Sequence, residues 1–240
     1  MLYKNYVFDL YGTLIDIRTD EEMPSLWRVM AEVYSRYGVD MKPEKLKEEF
    51  RRIEREERDK VRREKKTDYP EIKLEKVFLR LRDDLADSAG AVHTHSCEFV
   101  PDDSTWAQMI ANTFRALSIK KKRLFPGAME TLLELKKRGA GVYLLSNAQR
   151  VFTMPEIEQL GLAECFDAIY ISSDYGFCKP DPRFFEALLE KEGLDSRETV
   201  MIGNEPQSDI AIARAVGTDS ILFDGTVRAA RIRAQYHALL

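Results

Sequence analysis

A chain of 240 residues with 44% apolar and 32% charged side chains can build one hydrophobic core, or a core with a sizeable insertion. Its 37 basic and 41 acidic side chains leave a net charge of −4, which gives no basis for nucleic-acid binding. No apolar run approaches the ~18 residues of a membrane helix, and the three cysteines, Cys97, Cys165 and Cys178, are odd in number and widely spaced, so a soluble, cytoplasmic chain is expected, without membrane or nucleic-acid partners.

The first element, in "NYVFDLYGTLID", is a short apolar strand that ends on Asp9 and breaks into a Gly-Thr turn. Lys4 and Asp9 interrupt its apolar run, so it does not read as a signal peptide. Aspartate is depleted in strands, and an unpaired buried carboxylate is costly, so Asp9 calls for a functional explanation.

From about Asp16 to Arg123 the texture changes to charged helical patterns. In "PSLWRVMAEVYSRYG", Trp27, Met30, Ala31 and Tyr34 share a helical face that predicts core packing, with Arg28 on another face. "EKLKEEFRRIEREERDKVRREKK" carries a thin stripe of Leu46, Phe50, Ile53 and Val61. Its acids and bases are interleaved, which points to a solvated helix laced with i,i+4 pairs rather than a nucleic-acid surface. An amphipathic helix in "KLEKVFLRLRDDLA" follows, then a polar loop with His93, His95 and Cys97. A structural zinc site needs a closed set of four ligands and no second cluster is visible, so this loop is expected to be a polar tip facing a cleft. No strand is expected in this stretch. Residues 16–123 read as an inserted, mostly helical domain, and residues 1–15 and 124–240 as the core around it.

From Leu124 onward strands and helices alternate. "AGVYLLS", "DAIYISS", "ETVMIGN" and "TDSILFD" read as strands. "PGAMETLLELKKRG" reads as a helix with Met129, Leu132 and Leu133 on one face, and "DPRFFEALLEKEG" as one with Phe184, Phe185, Leu188 and Leu189. Such alternation predicts an α/β fold with a parallel sheet covered on both faces, the opening strand at its centre.

Ligands of open parallel sheets sit beyond the carboxyl ends of the strands. The residues there are Asp9 and Thr13, then Ser146 and Asn147, then Lys179 in "GFCKPDP", then Asn204, Glu205 and Asp209 in "GNEPQSD". Each has a plain alternative: Ser-Asn as a turn or helix cap, Lys179 as a surface lysine at a helix start. Together, in order, they describe a site that combines carboxylates, hydroxyls and one ammonium.

The segments "FDLYGTLID", "LLSN", "KPDP" and "IGNEPQSDIAIARAVG" closely resemble the haloacid dehalogenase (HAD) superfamily of hydrolases, across the whole expected core. The resemblance implies a Rossmann-like sheet and a helical cap inserted after the first motif. It implies Asp9 as the nucleophile of a covalent aspartyl intermediate and Lys179 as the charge stabiliser. Thr13, Ser146 and Asn147 would bind substrate oxygens. Mg²⁺ would be held by Asp9, the Tyr11 carbonyl and the fourth-motif loop of Asn204, Glu205 and Asp209. Such chemistry suits a small phosphorylated substrate, because an anionic nucleophile meeting a phosphate requires cationic help.

Two residues depart from that pattern. Tyr11 stands where phosphatases of this family carry a second acid. A phenol can donate a proton to a leaving alkoxide but is a poor base at neutral pH, and Tyr11 reads equally as a packing aromatic at a cap hinge. Asn204 stands where an aspartate is usual. Both departures point toward the dehalogenase-like branch of the family, yet Glu205 and Asp209 keep acidic groups available, so phosphate-ester hydrolysis is the first expectation. A metal-independent 2-haloacid dehalogenase-like activity and a non-catalytic phosphate sensor are the alternatives, in a monomer or homodimer.

Overall fold

A computed structural model describes residues 3–88, 101–225 and 229–240. β1 (Asn5–Phe8) is followed by β2 (Ile15–Thr19), then four helices: α1 (Pro24–Ser35), α2 (Pro43–Lys65), α3 (Leu74–Ser88) and α4 (Asp103–Ser118). β3 (Ile119–Leu124) leads into α5 (Ala128–Lys137), β4 (Gly141–Ser146), α6 (Arg150–Gln159) and β5 (Ala168–Ile171). α7 (Pro182–Glu192), β6 (Thr199–Gly203), α8 (Ala211–Ala215), β7 (Asp219–Leu222) and α9 (Ala229–His237) complete the order.

Five strands pair in parallel in the order β5-β4-β1-β6-β7, so β1 is central as its sequence predicts. The inner strands are mostly apolar, with polar residues at their ends, because both faces are covered. Tyr6, Phe8, Val142, Leu144, Val200 and Ile202 point to one face, against Leu132 and Leu135 of α5. Val7, Tyr143, Leu145 and Met201 alternate to the other face, against Phe184, Phe185 and Leu188 of α7. One expectation fails within α5: Leu133 is 54% exposed, and the buried row is Ala128, Thr131, Leu132 and Leu135. The i, i+3, i+4 stripe excludes Leu133, which lies about 100° from Leu132 around the helix.

The four helices α1 to α4 gather a second apolar cluster that includes Trp27, Met30, Tyr34, Leu46, Phe50, Ile53, Phe78, Trp106 and Phe114. The thin stripe of α2 is spent here, with Phe50 stacked on Phe114 at 5.6 Å between ring centroids. Arg28 is exposed.

The absence of strands expected between 16 and 123 is overturned. β2 and β3 form an antiparallel ribbon with Ile15 opposite Leu124 and Ile17 opposite Lys122. "IKKKRL" hides this strand because it belongs to a two-stranded ribbon, where lysines facing water are ordinary. Asp16 accepts a hydrogen bond from Arg123 across the ribbon at 3.1 Å. Both connections between the sheet and the four helices run through this ribbon.

Among the described residues no helix is long and apolar enough to cross a membrane. His93, His95 and Cys97 lie outside the described residues.

Candidate active site

Asp9 follows the last residue of β1 and is still tied into the sheet, its amide donating to the Ile202 carbonyl at 2.8 Å. Its carboxylate is therefore fixed at the strand tip, and only 6% of the residue is exposed. The chain must then turn sharply. Gly12 adopts φ +89°, and a Cβ there would lie 2.6 Å from the Asn204 side chain, so the turn requires glycine on both counts. The turn returns Thr13 to the site, with its hydroxyl 3.2 Å from Asp9 Oδ2 and 3.2 Å from Asn204 Oδ1. From behind, the buried Tyr236 of α9 donates its hydroxyl to the Thr13 carbonyl.

Lys179 is 3% exposed and all three of its ammonium protons are engaged. Nζ donates to Asp9 Oδ1 at 2.7 Å, to Asp209 Oδ1 at 2.7 Å and to the Leu145 carbonyl at 2.8 Å. Burial works against the ammonium, but Asp9 and Asp209 outweigh it and hold its pKa above the ordinary lysine value. Burial, reinforced by Asp209 and opposed by Lys179, pushes the Asp9 carboxyl up to about 6. The physical reason is a shared counter-ion, since two buried carboxylates face one cation.

Each neighbour is held by the local chain. Asp209 sits in a turn, Pro206–Ile210, where its Oδ2 accepts the Glu205 amide at 2.9 Å. β6 ends in Gly203, where a Cβ would collide with that carboxylate. The Asn147 side chain brackets Lys179, accepting its amide at 2.8 Å and donating to its carbonyl at 3.0 Å. Ser146 ends β4 with a hydroxyl that is buried and has no partner among the described residues, although buried polar groups are normally paired. Asn204 and Glu205 are exposed, and Glu205 accepts the Ser208 hydroxyl at 3.1 Å.

Asp9, Thr13, Lys179, Asn204 and Asp209 are thus directly linked, and Asn147 supports Lys179. Tyr11 turns its hydroxyl elsewhere. It donates to Glu156 Oε2 at 2.7 Å, and the Thr153 hydroxyl lies 3.1 Å away. Burial and the Glu156 carboxylate push its phenol pKa upward.

The sequence reading missed the partners of these residues. Arg115 and Glu156 are buried and paired with each other. The available signal was spacing: Ala111, Arg115 and Ser118 fall on the buried face of α4 at i, i+4 and i+7.

A second missed group joins the helices to the loops that present Asn147 and Lys179. The Glu71 carboxylate accepts Gln149 Nε2 and the Ile72 amide on Oε1 at 2.9 and 3.0 Å, and the Ser172 hydroxyl on Oε2 at 2.9 Å. Nearby, the Cys178 amide donates to the Tyr69 carbonyl at 3.1 Å, and the Thr67 hydroxyl to Asp181 at 2.6 Å. Burial raises the Glu71 pKa, against the pull of Arg58 and these hydrogen bonds. Glutamine at this position keeps an oxygen that accepts from both Gln149 and Ile72, and its amide can donate to Ser172. Glu71→Ala, by contrast, strands the Gln149 and Ile72 donors and is expected to cost about 2–3 kcal/mol. The sign with pH follows from the raised value. Stability from a carboxyl with a raised folded pKa is greatest below its unfolded pKa and falls as pH rises through the folded one. The melting temperature of Glu71→Gln should therefore gain on wild type as pH rises from the ordinary carboxylate range toward neutrality, which melts at stepped pH would measure.

The side chains around Asp9 form an oxygen-rich donor set. Among the described residues, no three His, Cys, Asp or Glu side chains gather into a ligand cluster. Asp9, however, shares the Thr13 hydroxyl with the Asn204 amide oxygen, and an oxygen-only set with one or two carboxylates suits Mg²⁺, which retains several waters. Asp9, Lys179 and Asp209 also sum to −1 when ionised, a charge that an added cation would offset. The residues fit the ion.

Among curated proteins, the chain is 32% identical over 136 residues to a ribulose-1,5-bisphosphate 5-phosphatase from Halopiger xanaduensis, covering 56% of this chain and 55% of that protein. It is 34% identical over 105 residues to a phosphoserine phosphatase from Thermus thermophilus, covering 44% and 42%. The chain thus spans about half the length of the curated relatives it matches. Among solved structures, a HAD phosphatase from Thermococcus onnurineus shares the fold with a TM-score of 0.59 at 19% identity, covering 98% of this chain and 95% of that one. The family model of haloacid dehalogenase-like hydrolases matches residues 3–217, and on that match, over a sheet and strand-end residues of this kind, the chain belongs to the haloacid dehalogenase-like hydrolases.

Proposed function

We propose that this protein is a phosphatase of small phosphorylated metabolites, working through a covalent intermediate on Asp9. The observation that carries the reading is the pairing of Asp9 Oδ1 with Lys179 Nζ at 2.7 Å, with Lys179 also held by the Leu145 carbonyl and the next residue, Ser146, carrying a buried hydroxyl that has no partner among the described residues. A phosphoryl group placed between them would give Ser146 the acceptor it lacks, while Lys179 offsets the charge that builds up on the phosphoryl oxygens. The phosphatase names of the two curated relatives support the same substrate class.

In the first step an Asp9 carboxylate oxygen bonds to phosphorus and the bond to the ester oxygen breaks. That oxygen leaves with the electron pair and takes a proton from water. In the second step water attacks the acyl phosphate, releasing phosphate and restoring the Asp9 carboxylate. Thr13 and Ser146 donate hydrogen bonds to the transferring oxygens, with the Asn147 amide as a further donor. Asn147 also holds Lys179 through its side chain. Asp209 keeps Lys179 aimed at Asp9. We assign Tyr11 no proton transfer, since its hydroxyl is committed to Glu156 and its pKa is raised.

Mg²⁺, when bound by Asp9, Asn204 and the Tyr11 carbonyl, would act as a Lewis acid toward the phosphoryl oxygens. Glu205, exposed and occupied by Ser208, is left out of this set, and Asp209 acts through Lys179. Residues 16–123 serve as the cap, and the helices α1 to α4 with their own apolar cluster support that assignment. The cytoplasm is the proposed compartment, on the cysteine spacing.

Tyr11 and Asn204 favour a second reading, because displacement of halide from carbon requires neither a second acid nor a metal. A substrate panel run with and without Mg²⁺ separates the two. Mg²⁺-dependent phosphate release from aryl and small metabolite phosphates is expected. Metal-independent halide release from a 2-halo acid would replace the phosphatase reading. Thermal stabilisation by phosphate analogues without turnover would replace both with a sensor.

A further inference from the structure

The described residues contain one buried ion pair that joins the helical set to the sheet domain and touches the loop after Asp9. Arg115 lies in the last turn of α4, directly before the return strand β3. Its guanidinium binds Glu156 of α6 in two places, Nε to Oε1 at 2.7 Å and Nη2 to Oε2 at 3.2 Å. Both side chains are nearly excluded from water. The guanidinium is also enclosed by two rings, 5.2 Å from the Tyr11 centroid and 4.6 Å from that of Phe152. Glu156 Oε2 accepts the Tyr11 hydroxyl at 2.7 Å, so one carboxylate holds both the helical set and the loop two residues past the nucleophile.

Isolated, this arrangement costs stability, because desolvating two charges is repaid only by close geometry and full pairing. Here the geometry is close and bidentate, and its position is specific. The Ser118 carbonyl, at the end of the same turn of α4, accepts the Asp20 amide beside β2, so Arg115 sits where both connections to the helical set meet. α6, which presents Glu156, begins four residues after Ser146. A bidentate guanidinium is directional, so movement of α4 is transmitted to α6 and to Tyr11 together.

We propose that Arg115 and Glu156 are positioning residues that latch the cap's exit helix to Tyr11 and so hold the nucleophile loop in its working geometry. The inference rests on the hydrolase reading above for its kinetic consequence. The latch itself is a property of the fold.

The test is a double-mutant cycle on Tyr11→Phe and Glu156→Gln, each nearly isosteric. With a phosphorylated substrate, each single variant should lower kcat by about tenfold to a hundredfold with KM changed less than about twofold, since misplacement acts on the chemical step. The double variant should be no slower than the worse single one, because each breaks one joint of the same Arg115–Glu156–Tyr11 chain. Singles that retain kcat within about twofold while melting earlier would show a merely structural pair, and multiplying losses would show two independent roles; either overturns the latch. If Glu156→Gln does not fold, Tyr11→Phe carries the kinetic test alone. Hydrogen exchange on the same proteins needs no activity. Amides of β2, β3 and the last turn of α4 should exchange at least about tenfold faster in the variants. Unchanged exchange there would refute the latch, whereas a wild type that hydrolyses nothing would refute the phosphatase reading alone.

Discussion

Asp9→Asn should reduce kcat by about 10⁴-fold or more while leaving the protein folded. An amide has the shape of the carboxylate but no anionic oxygen to attack with, so the covalent route closes. The fold should tolerate the change. Burial and Asp209 already work against ionisation of Asp9, so removing its charge relieves a repulsion as well as losing an attraction. Lys179 keeps Asp209 and the Leu145 carbonyl as acceptors, and the Asn side-chain oxygen can serve as the third. Circular dichroism and a melt within a few degrees of wild type, beside lost turnover, would locate the effect in the chemistry. Substantial residual hydrolysis would mean that the bond to phosphorus forms somewhere else.

Lys179→Met should do the opposite to the fold. It removes the cation that links Asp9 and Asp209, leaving two buried carboxylates that share a site with no other counter-charge among the described residues. Breaking a buried pair by deleting one partner costs about 3–5 kcal/mol, and activity should vanish as well. The diagnostic is rescue. Adding Asp209→Asn to Lys179→Met removes one of the two stranded charges and should recover part of the lost stability in urea melts, while activity stays absent. If the single variant melts like wild type, Lys179 is not the electrostatic centre of the site. Arginine is no substitute, because its planar fork cannot occupy a pocket built for three donors converging from one nitrogen.

How much of this was legible before the structure depends on how local the signal is. β1, β4 and β6 announce themselves as short apolar runs, and the residue at which each run stops is a strand-end residue. Asp9, Ser146 and the 203–209 loop could therefore be ordered along one sheet edge from sequence, and Lys179 joined them through "KPDP". What each side chain holds was not legible. For Asn147 the sequence suggests only a backbone amide aimed at substrate, and nothing in it shows that the side chain clamps the Lys179 backbone, a contact across 32 positions. Tyr11 raises a question about acid–base chemistry in sequence, and its partner Glu156 is 145 positions away on a helix with no marked amphipathic pattern. Spacing puts Arg115 on the buried face of α4, but that Glu156 is its partner emerges only when α4 and α6 pack together. β3 is hidden for the same reason, since only its pairing with β2 distinguishes "IKKKRL" from a polar linker. Strand tips are local features; pairs between distant elements are not.

The most direct measurement is chemical trapping of the intermediate. Wild-type protein mixed briefly with a turned-over phosphate ester, quenched in acid and mapped by peptide mass spectrometry should carry one phosphoryl group, on Asp9. Steady turnover with a label on another residue, or with no label at any quench time, would contradict nucleophilic attack by Asp9.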